Sequence, residues 1–196
     1  MDVICEDILI KYLKKYGQID SEECGLYGEG EFKIIIDPLD GSDNYKSNFP
    51  YFGSSIALEK DGKVKVAIVT NFANGTLFVK TKNSFVFTKL DDIKFQNFLP
   101  NNHASIGLFE SAYRSNIYAK KLKNSGYKYR SSGAIALSLV YTNQVQFFLY
   151  EGEMRDYDVK AGLYMCESFY QHKEKDLTLI CTQLNHFEKL KKILLN

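Results

Sequence analysis

A run of β-branched residues that leads directly into carboxylates constrains this chain more than any other feature of its sequence. Residues 32–36 read Phe-Lys-Ile-Ile-Ile, a composition that favours a buried strand. Asp37-Pro38 follows at once. Because proline fixes φ and has no backbone N–H, we expect the strand to end there and a loop to begin. That loop carries two carboxylates, Asp37 and Asp40.

The acidic loop requires something that neutralises it. Two carboxylates about 4 Å apart repel by about 4 kcal/mol at an effective dielectric constant of ~20, so a bound cation best explains a turn that gathers them. Hard divalent ions with oxygen ligands fit. An EF-hand does not, because its ligands stand at the first, third and fifth positions, whereas here the spacing is Asp37, Asp40, Asp43.

The next two residues add a feature that suits an anion. Gly41 lets the backbone approach a ligand closely, and amide groups at the start of a short helical turn after Ser42 favour phosphate. Carboxylates for a divalent ion beside amides for a phosphate indicate metal-assisted phosphoester hydrolysis.

The first segment of the chain predicts an amphipathic helix over residues 3–16. Its apolar residues recur every four positions, with Leu9 and Leu13 beside them, and Gly17 is expected to end the helix. The stripe consists of Ile4, Ile8, Tyr12 and Tyr16.

The remaining patterns predict two kinds of organisation. Four β-rich segments between residues 54 and 88 are separated by Asp61-Gly62 and Asn74-Gly75, which are typical of hairpin turns, so an antiparallel meander is expected. From residue 105 onward, short strands alternate with helices. Strands are predicted at 105–109, 145–150 and 177–181, and helices near 117–124, 134–142, 159–168 and 187–195. We therefore expect one compact domain with an α+β half over 1–100 and an α/β half over 101–196.

Composition and charge exclude several classes of protein. The 196 residues include 25 Lys and Arg against 24 Asp and Glu, a balance that argues against a nucleic-acid polymer held by a broad basic field. No stretch approaches the roughly 18 apolar residues that cross a bilayer, and the first residues lack the layout of a secretory signal, so we predict no membrane partner and a cytoplasmic location. The cysteines form no C-x-x-C pair and are predicted to be free thiols: Cys5, Cys24, Cys166 and Cys181.

Three motifs, in the right order, resemble the inositol monophosphatase family. Residues 36–45 resemble the family motif D-P-[IL]-D-G-[TS]-x-N-[FY], Ser21-Glu22-Glu23 resembles its E-E element, and residues 157–162 resemble its W-D-x-A-A-G helix start. The resemblance implies a Mg²⁺-dependent, lithium-sensitive phosphatase, with fructose-1,6-bisphosphatase-like and 3′(2′),5′-bisphosphate nucleotidase relatives. It also implies an α+β fold, a layered α-β-α-β-α sandwich shortened at the N-terminus, and a homodimer.

The same resemblance implies roles for individual residues. The ligands of two or three Mg²⁺ ions would be Glu22, Asp37, the carbonyl of Leu39, Asp40 and Asp158. The catalytic set would be Glu22, Asp37 and Ser42, with Asp2 orienting the Ser42 hydroxyl. The substrate would be bound by the amides of Gly41 and Ser42, by Asp40 and Asp158, and by Glu151, which would meet a substrate hydroxyl.

The resulting hypothesis is a phosphomonoesterase that hydrolyses a small polyol or sugar phosphate by in-line attack of a metal-activated water. Fructose-1,6-bisphosphatase and 3′(2′),5′-bisphosphate nucleotidase activities are alternatives within enzymes. A relative that binds a phosphorylated ligand or a protein partner without hydrolysis is the alternative from another class.

Two basic residues near the third motif have open interpretations. Arg155 stands beside Glu153 and Asp156, so it is expected to pair with them at the surface or to meet a second phosphate. Lys160 replaces a family alanine and is expected to point to solvent rather than toward the phosphate.

Overall fold

Two β-sheets form the framework of the structure, a computed structural model that describes residues 1–174 and 176–195. The first sheet contains β1 (Gln18–Ser21), β2 (Gly25–Tyr27), β3 (Lys33–Asp40), β4 (Gly53–Lys60), β5 (Lys63–Asn71), β6 (Thr76–Thr81), β7 (Phe85–Lys89) and β8 (Gln96–Asn97). The second contains β9 (Gly107–Glu110), β10 (Tyr129–Arg130), β11 (Phe148–Glu151), β12 (Tyr170–Glu174) and β13 (Leu177–Cys181). Their strand orders are β2-β1-β3-β4-β5-β6-β7-β8 and β10-β9-β11-β13-β12.

Helices cover both sheets and separate them. They are α1 (Asp2–Leu13), α2 (Ser42–Lys46), α3 (Tyr118–Asn124), α4 (Ile135–Tyr141), α5 (Asp156–Met165) and α6 (Leu184–Leu195), with single 3₁₀ turns at Ala112–Arg114 and Thr142–Gln144. Among the described residues, none of these helices has the length and apolar character that a membrane span requires.

Alternating side chains on β3 show how the layers are arranged. Ile34 and Ile36 pack in a cluster with residues of α1, whereas Ile35 packs with α4 and α5. Residues of the same two helices also pack against the second sheet, whose opposite face contacts α3 and α6. The order of layers is therefore helix, sheet, helix, sheet, helix, and the predicted α-β-α-β-α sandwich is confirmed.

The isoleucine strand is longer than predicted. β3 continues through Pro38 to Asp40, with Asp37 opposite Ser55 and Asp40 opposite Gly53. A β-bulge between the two aspartates shifts the register, and a bulge tolerates a proline because the ladder bond is already interrupted. The prediction that the strand ends at Asp37-Pro38 is therefore wrong, and both carboxylates are held by a strand rather than by a loop.

A strand that was not predicted lies beside β3. β1 runs parallel to β3 with Ser21 opposite Ile36, which places Glu22 next to Asp37 at the same edge of the sheet. At only four residues, β1 is too short to leave a clear periodic pattern.

The first helix is confirmed, but its apolar stripe is not its buried face. Ile4, Ile8, Tyr12 and Tyr16 are 53–62% exposed. Leu9, Ile10 and Leu13 instead pack against the isoleucines of the first sheet. The helix ends at Leu13 rather than near Gly17. Gly17 is needed for a close approach of two chain segments, since a Cβ there would lie 2.3 Å from the carbonyl oxygen of Phe32.

The other expected elements are present with shifted ends. The predicted meander corresponds to β4–β7, which pair antiparallel in sequence order, and Asp61 and Gly62 adopt the positive φ values of a tight hairpin turn. The alternating strands and helices of the second half are also found, with β10 and β12 as additions. All four cysteines are free, as predicted.

Candidate metal centre

Three carboxylates converge at the edge of the first sheet. Glu22, Asp37 and Asp158 each offer an oxygen atom, and these atoms lie within 4.8 Å of one another. Glu22 follows β1 and Asp37 belongs to β3, so the pairing of adjacent parallel strands brings them together. Asp158 arrives in the first turn of α5, which packs across β3, β4 and β5. The sequence-predicted ligands from three distant parts of the chain therefore meet in space.

Asp40 joins the centre while bonding to another element. Its Oδ2 accepts a hydrogen bond of 2.9 Å from the amide of Leu137, in the first turn of α4. The side chain is buried, and the positive end of the helix suits a carboxylate. Asp40 thus connects the first sheet to the helix layer between the sheets.

Burial, more than mutual repulsion, raises the pKa values of Asp37, Asp40 and Glu22. Burial, followed by repulsion from Asp40, Glu22 and Asp158, raises the pKa of Asp37 to about 9. Burial is also the main cause that raises the pKa of Asp40 to about 7, although the bond from Leu137 opposes it. The pKa of Glu22 is raised mainly by burial too. These buried carboxylates repel one another when they are ionised together. The charge of a hard divalent cation would offset this repulsion, so the oxygen atoms suit such an ion.

A cavity of about 200 Å³ lies over these carboxylates. Its lining includes every sequence-predicted site residue except Asp2 and Glu151. The predicted residues that line it are Glu22, Asp37, Leu39, Asp40, Gly41, Ser42 and Asp158.

The backbone at the predicted phosphate site is held tightly. Gly41 has φ +82°, and a Cβ there would lie 2.9 Å from the carbonyl oxygen of Tyr51, so only glycine fits without strain. The Asn44 side chain donates hydrogen bonds of 2.7 Å to the carbonyls of Tyr51 and Ser132. It thereby ties α2 to two other segments of the chain, next to Gly41 and Ser42.

Two predicted residues lie elsewhere. Asp2 is in the first turn of α1, and within the described part of the chain no hydrogen bond joins it to Ser42; its Oδ1 is buried without a partner. Glu151 ends β11 opposite Leu177, and it lines neither this cavity nor the adjoining one, which is lined by Glu153.

The two basic residues of the third motif make contacts other than those expected. Arg155 pairs with Glu22 and Asp158 rather than with its neighbours in sequence. Lys160 is only 29% exposed and lies 3.1 Å from both Glu59 and Asp156, so the expectation that it points to solvent is wrong.

Glu110 is a buried carboxylate that the sequence reasoning missed. It ends β9, and it accepts hydrogen bonds from the amides of Ser132 and Gly133, at 3.2 and 2.8 Å, and from the hydroxyl of Ser138. Burial raises its pKa. The available signal was a carboxylate directly after an apolar strand, the same signal that pointed to Asp37.

A larger cavity adjoins the carboxylate centre. It measures about 730 Å³ and shares Asp158, Arg155 and Gly133 with the smaller one. Arg114 and Tyr150 are among its other lining residues. A ligand larger than phosphate therefore has room beside the centre.

The layered α+β fold carries a carboxylate centre to which the first sheet and α5 both contribute. The chain belongs to the inositol monophosphatase family, whose model matches residues 2–168. A fructose-1,6-bisphosphatase/inositol-1-monophosphatase from Methanocaldococcus jannaschii is 28% identical over 172 residues, which are 85% of this chain and 66% of that protein. A Nus factor SuhB from Xylella fastidiosa is 30% identical over 174 residues, 83% of this chain and 63% of that protein. The chain thus spans about two thirds of the length of these relatives.

Solved structures agree on the fold. The extragenic suppressor protein suhB from Bartonella henselae superposes with a TM-score of 0.80 at 21% identity, covering 98% of this chain and 82% of that one. An inositol monophosphatase from Anabaena gives a TM-score of 0.78 at 22% identity, covering 99% and 85%.

Proposed function

We propose that this chain is a Mg²⁺-dependent phosphomonoesterase that acts on a small polyol or sugar phosphate. The convergence of Glu22, Asp37 and Asp158 within 4.8 Å carries the proposal. Clustered carboxylates repel one another, and a bound divalent cation offsets that repulsion. Membership of a phosphatase family supports the reaction class. The names of relatives that act on fructose bisphosphate and inositol phosphate support the substrate class.

The residues that would hold two or three Mg²⁺ ions are Glu22, Asp37, Asp40, Asp158 and the carbonyl of Leu39. When bound, the ions supply Lewis-acid activation of the attacking water and of the phosphoryl group.

The chain's own groups would orient the reactants. The amides of Gly41 and Ser42, which line the cavity, would hold the phosphate. The Glu22 carboxylate, which lines the cavity beside Asp37, would accept a proton from the attacking water. The Ser42 hydroxyl would orient that water. The roles of Asp2 toward Ser42 and of Glu151 toward a substrate hydroxyl stay predictions, since neither residue lines either of the two cavities.

Fructose-1,6-bisphosphatase activity is a second candidate. The adjoining cavity of about 730 Å³ has room for a second phosphate, and Arg114, one of the two arginines that line it, could donate to that phosphate.

The test is phosphate release from a panel of substrates. Inositol 1-phosphate, fructose 1,6-bisphosphate and adenosine 3′,5′-bisphosphate would be compared with Mg²⁺, with EDTA and with added Li⁺. We expect Mg²⁺-dependent turnover that falls about 100-fold or more in Asp37→Asn and in Asp158→Asn. The matched control is Asp91→Asn, which removes an exposed carboxylate outside the cavity and should leave turnover unchanged.

Two results would contradict the proposal. Tight binding of a panel member without phosphate release would indicate the non-catalytic alternative. Turnover that is equal in EDTA and in Mg²⁺ would rule out the metal-dependent reaction.

A further inference from the structure

The guanidinium group of Arg155 lies between two of the candidate metal ligands. Its Nη1 lies 2.9 Å from Oε1 of Glu22. Its Nε and Nη2 donate to the two carboxylate oxygens of Asp158 at 2.9 and 3.3 Å, a bidentate arrangement that is among the strongest contacts available to an arginine. A side chain of this protein therefore holds a positive charge where an external cation is proposed.

The local sequence favours this contact. Arg155 is the N-cap residue of α5 and Asp158 follows three positions later, so the first helical turn places both on one side. The ring of Tyr157 lies 4.8 Å from the guanidinium carbon and supports it from a second direction.

Arg155 is also the only lysine or arginine of the described residues that forms an ion pair with any of the four clustered carboxylates. Its side chain is 60% exposed, whereas those of Glu22 and Asp158 are 27% and 13% exposed. The guanidinium can therefore leave the carboxylates without a rearrangement of the core, and the larger cavity that it also lines lies beside it.

We propose that Arg155 competes with the divalent cation for Glu22 and Asp158, so that the ion binds by displacing the guanidinium group. This inference rests on the proposed function, because it assumes that these carboxylates bind the ion. An ion in contact with both carboxylates would meet the guanidinium at close range, and the two positive charges would repel. Arg155 thus stabilises the metal-free centre and raises the cation concentration at which the centre fills.

The experiment measures Mn²⁺ binding directly, by calorimetry or by the electron paramagnetic resonance signal of free Mn²⁺, at low ionic strength. We expect Arg155→Gln to bind Mn²⁺ about tenfold more tightly than the wild type, since a site that is blocked about nine-tenths of the time loses that factor in affinity. Arg114→Gln is the matched control: it removes the same charge from the same cavity, but Arg114 has no ion pair with the four carboxylates in the described residues. Its Kd should change less than about threefold.

A second measurement follows the metal-free state. In EDTA, Arg155→Gln should unfold at a lower temperature than the wild type and Arg114→Gln, because Glu22 and Asp158 then repel without compensation. Saturating Mn²⁺ should remove this difference, since the ion replaces the guanidinium charge in every variant.

The outcomes separate the two proposals. If the wild type binds Mn²⁺ and Arg155→Gln binds it equally or more weakly, the competition is wrong while the metal centre stands. If none of the three proteins binds Mn²⁺, the metal centre itself is wrong and the competition fails with it.

Discussion

At the scale of single residues, the metal-free centre makes stability depend on pH. The pKa values of Asp37 and Asp40, about 9 and about 7, lie above the ordinary value of 3.8, so the folded state binds more protons than the unfolded state between these limits. In EDTA, the free energy of unfolding should therefore fall as the pH rises from about 4 through 7 and toward 9, by up to about 1.4 kcal/mol per pH unit for each group that titrates. Chemical denaturation at about pH 6 and about pH 8.5 checks this.

The source of the effect can be isolated with one variant. Asp37→Asn should flatten the pH dependence and stabilise the metal-free protein at the higher pH, since it removes one repelling charge. If the free energy of unfolding in EDTA rises with pH, the raised pKa values of Asp37 and Asp40 are not the source of the pH dependence.

Glu110 has a structural role that a single variant can test. Its buried carboxylate accepts hydrogen bonds from the amides of Ser132 and Gly133 and from the buried Ser138 hydroxyl. Glu110→Ala leaves these donors without their acceptor and should lower the free energy of unfolding by about 2–4 kcal/mol. Glu188→Ala, at an exposed position of α6, should change it by less than about 0.5 kcal/mol. Urea denaturation of the two variants decides the matter.

At the scale of elements, α4 and α5 meet at Gly162. A Cβ there would lie 2.5 Å from Cβ of Leu139, and both residues are buried. Gly162→Ala gains up to about 1 kcal/mol of helix propensity, but the overpacking costs about 1–3 kcal/mol, so we expect a net loss of stability. Thermal unfolding measures the loss.

A double variant shows whether the predicted overlap is the cause. Leu139→Ala alone leaves a cavity and should be destabilising, yet it also removes Cδ1 and Cγ of Leu139, which would lie 2.7 and 3.1 Å from the methyl carbon introduced by Gly162→Ala. The double variant should therefore be more stable than the sum of the two single effects predicts. If the two single effects on stability simply add, the loss caused by Gly162→Ala does not come from its contact with Leu139.

The sequence predicted the elements that carry strong local patterns and missed those that depend on distant contacts. The meander and the carboxylates of β3 follow from hairpin turns and from one apolar run, so their local signal was sufficient. β1 is four residues long and is stabilised by its pairing with β3, which no local pattern encodes. The buried face of α1 was misread for a related reason: only Leu9, Ile10 and Leu13 find a partner surface.

The site shows the same division. Glu22, Asp37 and Asp158 were found because their motifs resemble those of a family, and the structure brings them together. The hydrogen-bond donors of Glu110 lie more than 20 residues further along the chain, so its position after an apolar strand did not by itself reveal its role. Arg155 contacts Asp158 three positions away, but its pairing with Glu22 follows only from the fold.

At the scale of the whole molecule, apolar side chains remain exposed around α1. Ile4, Ile8 and Tyr12 lie on α1, and an apolar cavity of about 260 Å³ opens between Leu13 of that helix and β3–β5. Exposed patches of this kind mark association sites. The predicted homodimer agrees with this surface but stays a prediction.

Association can be tested through α1. Sedimentation velocity should show concentration-dependent self-association, which Ile4→Glu with Ile8→Glu weakens because it places charges in the apolar surface. Lys11→Glu changes the charge of the same helix at an exposed polar position and should have a smaller effect. A wild-type monomer at every concentration would remove the basis for a dimer.

The order of the candidate ligands along the chain has a consequence for biosynthesis. Glu22 and Asp37 leave the ribosome early and become neighbours once β1 pairs with β3, whereas Asp158 emerges long afterwards. A nascent polypeptide therefore carries an incomplete ligand set until residue 158 has emerged. Under the proposed function, capture of a divalent cation by the whole set must wait until α5 has been made and has packed against the first sheet, so a filled centre would report that the two halves of the ligand set have met.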